Sequence, residues 1–195
     1  MRLFPALRSN RAAALAALVA IFLVGGGDAR AQDAKELWAA LRDGTAFAIM
    51  RHAIAPGTGD PADLTLGDCS TQRNLSEEGR RQSAEIGARF RENGIAQAAV
   101  FSSAWCRCVD TAELMDLGPA QSLAPLNSFF RNSERRDPQT AALREWLADR
   151  EAAAPLVLVT HQVNIRALTG VYTRSGEIVV VRRNGDGKMT VLGSL

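Results

Sequence analysis

Short runs of consecutive apolar residues alternate along the chain with longer stretches in which apolar residues return every three or four positions. The short runs predict buried strands at Ala46 to Met50, Ala98 to Ser102, around Ser122 to Leu126, and at Leu156 to Thr160. The periodic stretches predict helices. In DAKELWAALRDG, Leu37, Trp38 and Leu41 share one face and Gly44 ends the pattern. Ser76 is placed to cap a helix with Glu77 and Glu78 in its first turn, which runs through Ile86 and Phe90 to Asn93-Gly94. Further helices are predicted over Ala104 to Met115, Thr140 to Ala152 and Val163 to Leu168. A closing hairpin joins Ile178 to Arg182 with Met189 to Leu192 through Asn184-Gly185-Asp186-Gly187.

Strand and helix alternate for most of the length, which predicts an α/β domain of three layers, α/β/α, with a mostly parallel central sheet. Ligands of such sheets bind at the carboxyl ends of strands. Arg51-His52, Ser102-Ser103 and His161 stand at those ends. The segment from Ala53 to Asn74, rich in Gly and Pro, is too long for a simple connection and leaves the strand that carries His52, so it is expected to be functional. Asn127 to Asp137 is a second polar, irregular connection.

At 195 residues with 47% hydrophobic and 23% charged, the chain has enough apolar material for one core and no composition shift that divides it. Its first stretch is different. Arg2, Arg8 and Arg11 precede an apolar run from Ala12 to Val24, followed by Ala29-Arg30-Ala31, the order of a cleaved secretory signal. The expected organisation is therefore a signal peptide over 1–31 and a single domain over 32–195, in a periplasmic or secreted protein.

Export permits disulfides. Cys106 and Cys108 flank Arg107 too closely to pair with each other, which leaves Cys69–Cys106 and Cys69–Cys108 as alternatives, with one thiol over. A net charge of +2 without a basic run gives no indication of nucleic acid or a membrane surface as partner. Nothing in the sequence speaks to oligomeric state.

The chain has only two histidines, and both end apolar strands. They would project from one sheet edge, within reach of Arg51 and Arg107. Two imidazoles and two guanidiniums suit a dianion, most naturally phosphate, because the guanidinium fork matches phosphate oxygens. A metal site needs more ligands than two His, and no metal or cofactor is expected.

These residues carry a resemblance. TAFAIMRHAIAPG resembles the Arg-His signature of the histidine phosphatase superfamily, which includes phosphoglycerate mutases. NLSEEGRRQSAEIG, VFSSAWCRCVDTAEL and LVLVTHQVNIRALTG resemble its later blocks, in the same order, across Thr45 to Gly170. The resemblance implies a phosphoglycerate mutase-like fold and a phosphomonoesterase needing no metal, acting through a phosphohistidine on a small phosphorylated substrate. By analogy His52 is the nucleophile, while Arg51, Arg107 and His161 bind the transferred phosphoryl. Ser102, Gln162 and Asn164 add contacts, although Asn164 is equally placed to cap the following helix.

One feature departs from the family. Mutase-like members carry a Glu shortly after the third strand as proton donor, and here LAPLNSFF has Asn127. Glu134 is the first candidate to replace it and Asp137 the next, with Asp60, Asp63 and Asp68 of the first loop as alternatives. The closer likeness is to small, capless members: cytosolic phosphohistidine phosphatases, and an exported group linked to lipopolysaccharide heptose phosphates. CSTQRNLSEEG resembles the latter, with Arg73 as a substrate contact or, alternatively, half of a surface ion pair. The other function class consistent with the missing Glu is a phosphate-binding module without turnover.

Overall fold

A computed structural model describes residue 1 and residues 26–150, 154–185 and 187–195. Most of the expected signal peptide, residues 2–25, lies outside the described residues, as do the last residues of the helix expected up to Ala152 and one turn residue of the hairpin.

The strands are β1 (Phe47–Arg51), β2 (Ala99–Ser102), β3 (Ala120–Ser122), β4 (Leu156–Thr160), β5 (Ile178–Arg183) and β6 (Met189–Ser194). They form one sheet in the order β3-β2-β4-β1-β5-β6. The first four in that order run parallel, β5 is antiparallel to β1, and β6 is antiparallel to β5. The helices are α1 (Gly26–Arg42), α2 (Glu77–Glu92), α3 (Cys106–Leu114), α4 (Arg136–Ala148) and α5 (Gln162–Thr169).

Side-chain alternation along the central strands sends residues to two cores. Ala48, Met50, Val100, Val157, Val159, Ile178 and Val180 meet Leu37, Trp38, Ile86, Phe90 and Met115 on the face covered by α1, α2 and α3. Phe47, Ile49, Phe101, Leu158, Val179 and Val181 meet Leu143, Leu147, Ile165 and Leu168 of α4 and α5 on the other. Coverage on both faces explains why the strands read as unbroken apolar runs. The architecture is the expected α/β/α.

Several boundaries differ from the sequence reading, among them the end of α4 at Ala148 and three others. The helix expected from Asp33 begins at Gly26. The third strand is Ala120–Ser122, and Ala124–Leu126 is a 3-10 turn, because Pro125 lacks the N–H a ladder needs. Helix α4 begins at Arg136 rather than Thr140, since Pro138 falls in its first turn, where a missing N–H has no intrahelical partner to lose. Among the described residues no helix is long and apolar enough to cross a membrane.

The topology places β4 between β1 and β2, so three carboxyl ends lie side by side. Backbone hydrogen bonds continue past the strand ends: His52 N–H donates to Thr160 O (3.0 Å) and Ser103 N–H to Val159 O (3.0 Å). His52 and Ser103 are thus fixed by the ladder itself, and His161 follows directly on β4.

Candidate active site

Four blocks of sequence converge here, and each has a local physical reason. In NLSEEGRRQ the Ser76 hydroxyl caps α2 by accepting from Gly79 N–H (3.1 Å). A Cβ at Gly79 would lie 2.1 Å from Ile54 O, so only glycine lets α2 approach the segment after His52. Gln82 accepts from Ile54 N–H (3.0 Å) and donates to Ser175 O (3.0 Å), bridging two loops. Thr111, one turn after Arg107, accepts from Ala53 N–H (3.0 Å) and donates to Arg107 O (2.6 Å). Chain direction after His52 is therefore set by side chains of α2 and α3.

The centre is Arg107, 2% exposed at the start of α3. Its Nε donates to His52 Nε2 (3.2 Å), and its Nη2 lies 3.4 Å from His161 Nδ1. A guanidinium only donates, so both facing nitrogens carry lone pairs. The remaining ring nitrogens agree. His52 Nδ1 donates to Ala53 O (2.8 Å), and His161 Nε2 meets Ser103 Oγ (2.9 Å) and the Cys108 thiol (3.5 Å). With its proton on Nε2, His161 donates to Ser103, whose own hydroxyl donates to Asn127 Oδ1 (3.3 Å).

Burial holds both rings neutral. It pushes the His52 pKa down to about 3, with the charges of Arg107, Arg51 and Arg73 adding to it and the Ala53 carbonyl opposing. The same burial, then His52 and the three arginines, holds His161 well below the ordinary range. Burial raises the Cys108 thiol to about 12, so it stays protonated. His52 Nε2 is a neutral lone pair at neutral pH, the state a nucleophile requires.

The positive charge is only partly answered. Asp60, from the long first loop, grips Arg107 with both carboxylate oxygens (2.5 and 3.2 Å) and accepts from Trp105 Nε1 (3.2 Å); its side chain is 7% exposed. Burial raises the Asp60 pKa, but the hydrogen bonds and charge of Arg107, then Trp105 and Arg73, outweigh it and leave the carboxyl below its ordinary value. Arg51, Arg73 and Arg107 against one carboxylate leave an excess of two positive charges, equal and opposite to the charge of a phosphate monoester dianion.

Arg51 donates to Thr173 O (3.4 Å), and Gln162 Oε1 accepts from Thr173 N–H (2.8 Å), which leaves Arg51 Nε and Gln162 Nε2 as buried donors without partners. Each costs about 1–3 kcal/mol unpaired. The amino termini of α3 and α5 open on the same space and favour negative charge there. The arrangement can bind a tetrahedral dianion and offer it an imidazole nucleophile.

Of the expected site residues, His52, Arg107 and His161 are in mutual contact, with Arg51 and Gln162 joined through Thr173. Ser102 is buried in β2, and it is Ser103 whose hydroxyl meets His161. Asn164 does not cap α5; its amide donates to Asn127 O (2.9 Å). Arg73 is not in a surface ion pair: it donates to the loop carbonyls Gly59 O (2.8 Å) and Ala55 O.

Glu134 is exposed in the 3-10 turn Ser133–Arg135, and Asp137 is 95% exposed in its side chain. The disulfide is Cys69–Cys106, tying the first loop to the residue before Arg107, and Cys108 is the free thiol. Sequence reasoning missed Ser103, Trp105 and Thr111 as site residues. The strand-end Ser-Ser pair was a signal for the first.

Comparisons with known proteins bear on the fold. Residues 48–126 match the family described as histidine phosphatase superfamily (branch 1), a match that ends before His161. No curated protein is significantly similar to the chain in sequence. Among solved structures, the protein histidine phosphatase SixA complexed with tungstate is 18% identical, with a TM-score of 0.54 over 77% of this chain and 96% of that one. A mycobacterial glucosyl-3-phosphoglycerate phosphatase is 14% identical, with a TM-score of 0.56 over 75% and 96%. The phosphoglycerate mutase of Thermus thermophilus is 17% identical, with a TM-score of 0.51 over 75% and 96%. The shared property is the fold.

Proposed function

We propose that this chain is a histidine phosphatase: a phosphomonoesterase that needs no metal and works through a phosphohistidine at His52. The observation that carries the reading is the pair of neutral imidazoles presenting lone pairs to one buried guanidinium. His52 Nε2 attacks phosphorus as the ester oxygen leaves; water then hydrolyses the phosphohistidine, so one hard displacement becomes two easier ones. Arg51 and Arg107 stabilise the charge on the equatorial oxygens, His161 holds the Arg107 fork through its Nδ1 lone pair, and Gln162 adds its free donor. The guanidiniums supply the charge stabilisation that a metal would otherwise provide.

The test is hydrolysis of p-nitrophenyl phosphate by purified protein in chelator, alongside His52→Ala. Turnover that survives the chelator and is lost in the variant is the expected result, with acid-labile radiolabel trapped on His52 from labelled substrate. Phosphate binding without turnover on any ester supports instead a binding module. A specific observation favours that second reading: Asn127, where mutase-like members carry a proton-donating Glu, has its side-chain oxygen committed to Ala104 N–H (2.8 Å).

The reading extends to export. The amino-terminal pattern is that of a secretory signal, and the Cys69–Cys106 disulfide suits an oxidising compartment. The likeness of CSTQRNLSEEG to an exported group linked to lipopolysaccharide heptose phosphates supports a sugar phosphate of that class as substrate. Fractionation of the expressing cell, followed by amino-terminal sequencing, tests cleavage before Gln32.

A further inference from the structure

Five carboxylates are candidates for the unassigned proton donor, and only one is buried. Asp63, Asp68, Glu134 and Asp137 are exposed, whereas the Asp60 side chain is 7% exposed and sits on the fork of Arg107. The order of groups along that guanidinium is informative. Its Nε faces His52 Nε2 at 3.2 Å, and its Nη1 and Nη2 face the two oxygens of Asp60. A phosphoryl group held on the same edge lies between imidazole and carboxylate, with the leaving oxygen on the side away from His52.

Asp60 is also mounted to move. Arg131 Nη2 donates to Asp60 O (2.5 Å) and Arg73 Nε to Gly59 O (2.8 Å), so the backbone is held independently of the carboxylate, whose partners are Arg107 and Trp105. Gly57 and Gly59 adopt positive φ, 89° and 72°, giving the loop the turns that deliver Asp60 to Arg107.

On these grounds, and resting on the phosphatase reading, we propose that Asp60 is the proton donor to the leaving group, and that the substrate loads it with its proton. In the free protein the carboxylate is an internal anion occupying the fork. A phosphate dianion displaces it from Arg107, and the carboxylate loses the partner that keeps it ionised while gaining a negative neighbour. It takes a proton from solvent.

The chemistry then balances. The His52 Nε2 lone pair forms the N–P bond, the P–O ester bond breaks, and the Asp60 proton passes to the departing oxygen to give the alcohol. In the second half a water oxygen attacks phosphorus, its proton goes to Asp60, the N–P pair returns to Nε2, and inorganic phosphate leaves. The charged and titratable groups facing Asp60 are Arg107 on α3, Arg73 and Arg131 on the loops, and the two histidines behind Arg107.

Two measurements test this. Tungstate, a dianion in neutral solution, is titrated into the protein in buffers of different ionisation enthalpy. Binding is expected to take up about one proton in the wild type and about none in Asp60→Asn, which keeps the size and the Trp105 contact. Second, p-nitrophenyl phosphate, whose phenolate leaves without help, is compared with an alkyl phosphate. Asp60→Asn is expected to lower kcat on the alkyl ester by about 10²–10⁴-fold and on the aryl ester far less, with Asp60→Glu restoring part of the loss. Equal proton uptake by the two proteins, or equal losses on the two esters, overturns the proposal. A wild type without turnover on either ester overturns the phosphatase reading instead, and is recognised before any variant is made.

Discussion

His52 and His161 are the same residue type in nearly the same setting, 2% and 4% exposed at the ends of adjacent parallel strands, yet they present opposite nitrogens to Arg107. His52 turns Nε2 inward because its Nδ1–H is committed to the carbonyl of the next residue. His161 turns Nδ1 inward because its Nε2–H is taken by Ser103. One ring is fixed by main chain, which no substitution removes. The other is fixed by a hydroxyl that depends on Asn127. The difference separates a group that must form a bond from one that must only hold Arg107 in place.

The largest expected effect breaks the pair apart. Removal of a nucleophile costs a factor on the order of 10⁶ in kcat, because no other group forms the bond. Misaligning one preorganised donor, as Arg107 is without the His161 acceptor, costs up to about 10²–10³. His52→Ala is therefore expected to lose essentially all turnover, and His161→Ala to keep a residue of about 10²–10³-fold lower kcat, measured on p-nitrophenyl phosphate by active-site-normalised rates. Equal losses would mean that the two imidazoles do not divide the work as their nitrogens suggest.

In stability, by contrast, the two histidines are expected to behave alike. Each has a folded pKa below its unfolded value, so in a window that opens below the ordinary value of 6.5, and for His52 extends to about pH 3, the unfolded chain binds protons that the folded chain refuses. Stability thus rises with pH through that window and is fully present above it. Each histidine contributes a slope of about 1.4 kcal/mol per pH unit. Chemical denaturation followed from about pH 7.5 to pH 5 is expected to show progressive loss, and either histidine→Ala variant to lose about half of the slope, whatever it does to absolute stability. A variant with the wild-type slope would show that its ring is not the neutral, desolvated group described.

The same contrast between main-chain and side-chain control decides what was legible in the sequence. The strands were readable because both their faces are buried, and the ends carrying His52 and His161 followed directly. The motif residues Ser76, Gly79 and Gln82 were recognisable as a pattern, and the structure supplies their reason: a cap, a close approach to Ile54 O and a bridge to Ser175. Asp60 could not be singled out among the loop acids. Its position depends on Arg73, Arg131 and the Cys69–Cys106 bond, all distant in sequence or local only after folding. Asn127 was noticed for the carboxylate it lacks. Its role as acceptor for Ser103 and Ala104 needed the loop geometry.

That acceptor role leads to the smallest expected effect. In Ser103→Ala the Nε2–H of His161 keeps only the Cys108 thiol, a weak acceptor at 3.5 Å. The other neutral tautomer then gains population, but its Nδ1–H points at the Arg107 donor 3.4 Å away, which costs Arg107 the acceptor that aligns it. Loss of one such hydrogen bond is worth about 1 kcal/mol, so kcat is expected to fall roughly five- to tenfold with little change in KM. Ser103→Thr, which keeps the hydroxyl, is expected to recover most of it. The decisive form is the double variant: if Ser103 acts only through His161, Ser103→Ala adds nothing to His161→Ala, whereas an independent contact with substrate makes the losses multiply. Non-additivity would place the Ser103–Asn127 pair as positioning residues for His161. No equivalent side chain positions His52, where the carbonyl of Ala53 already does so.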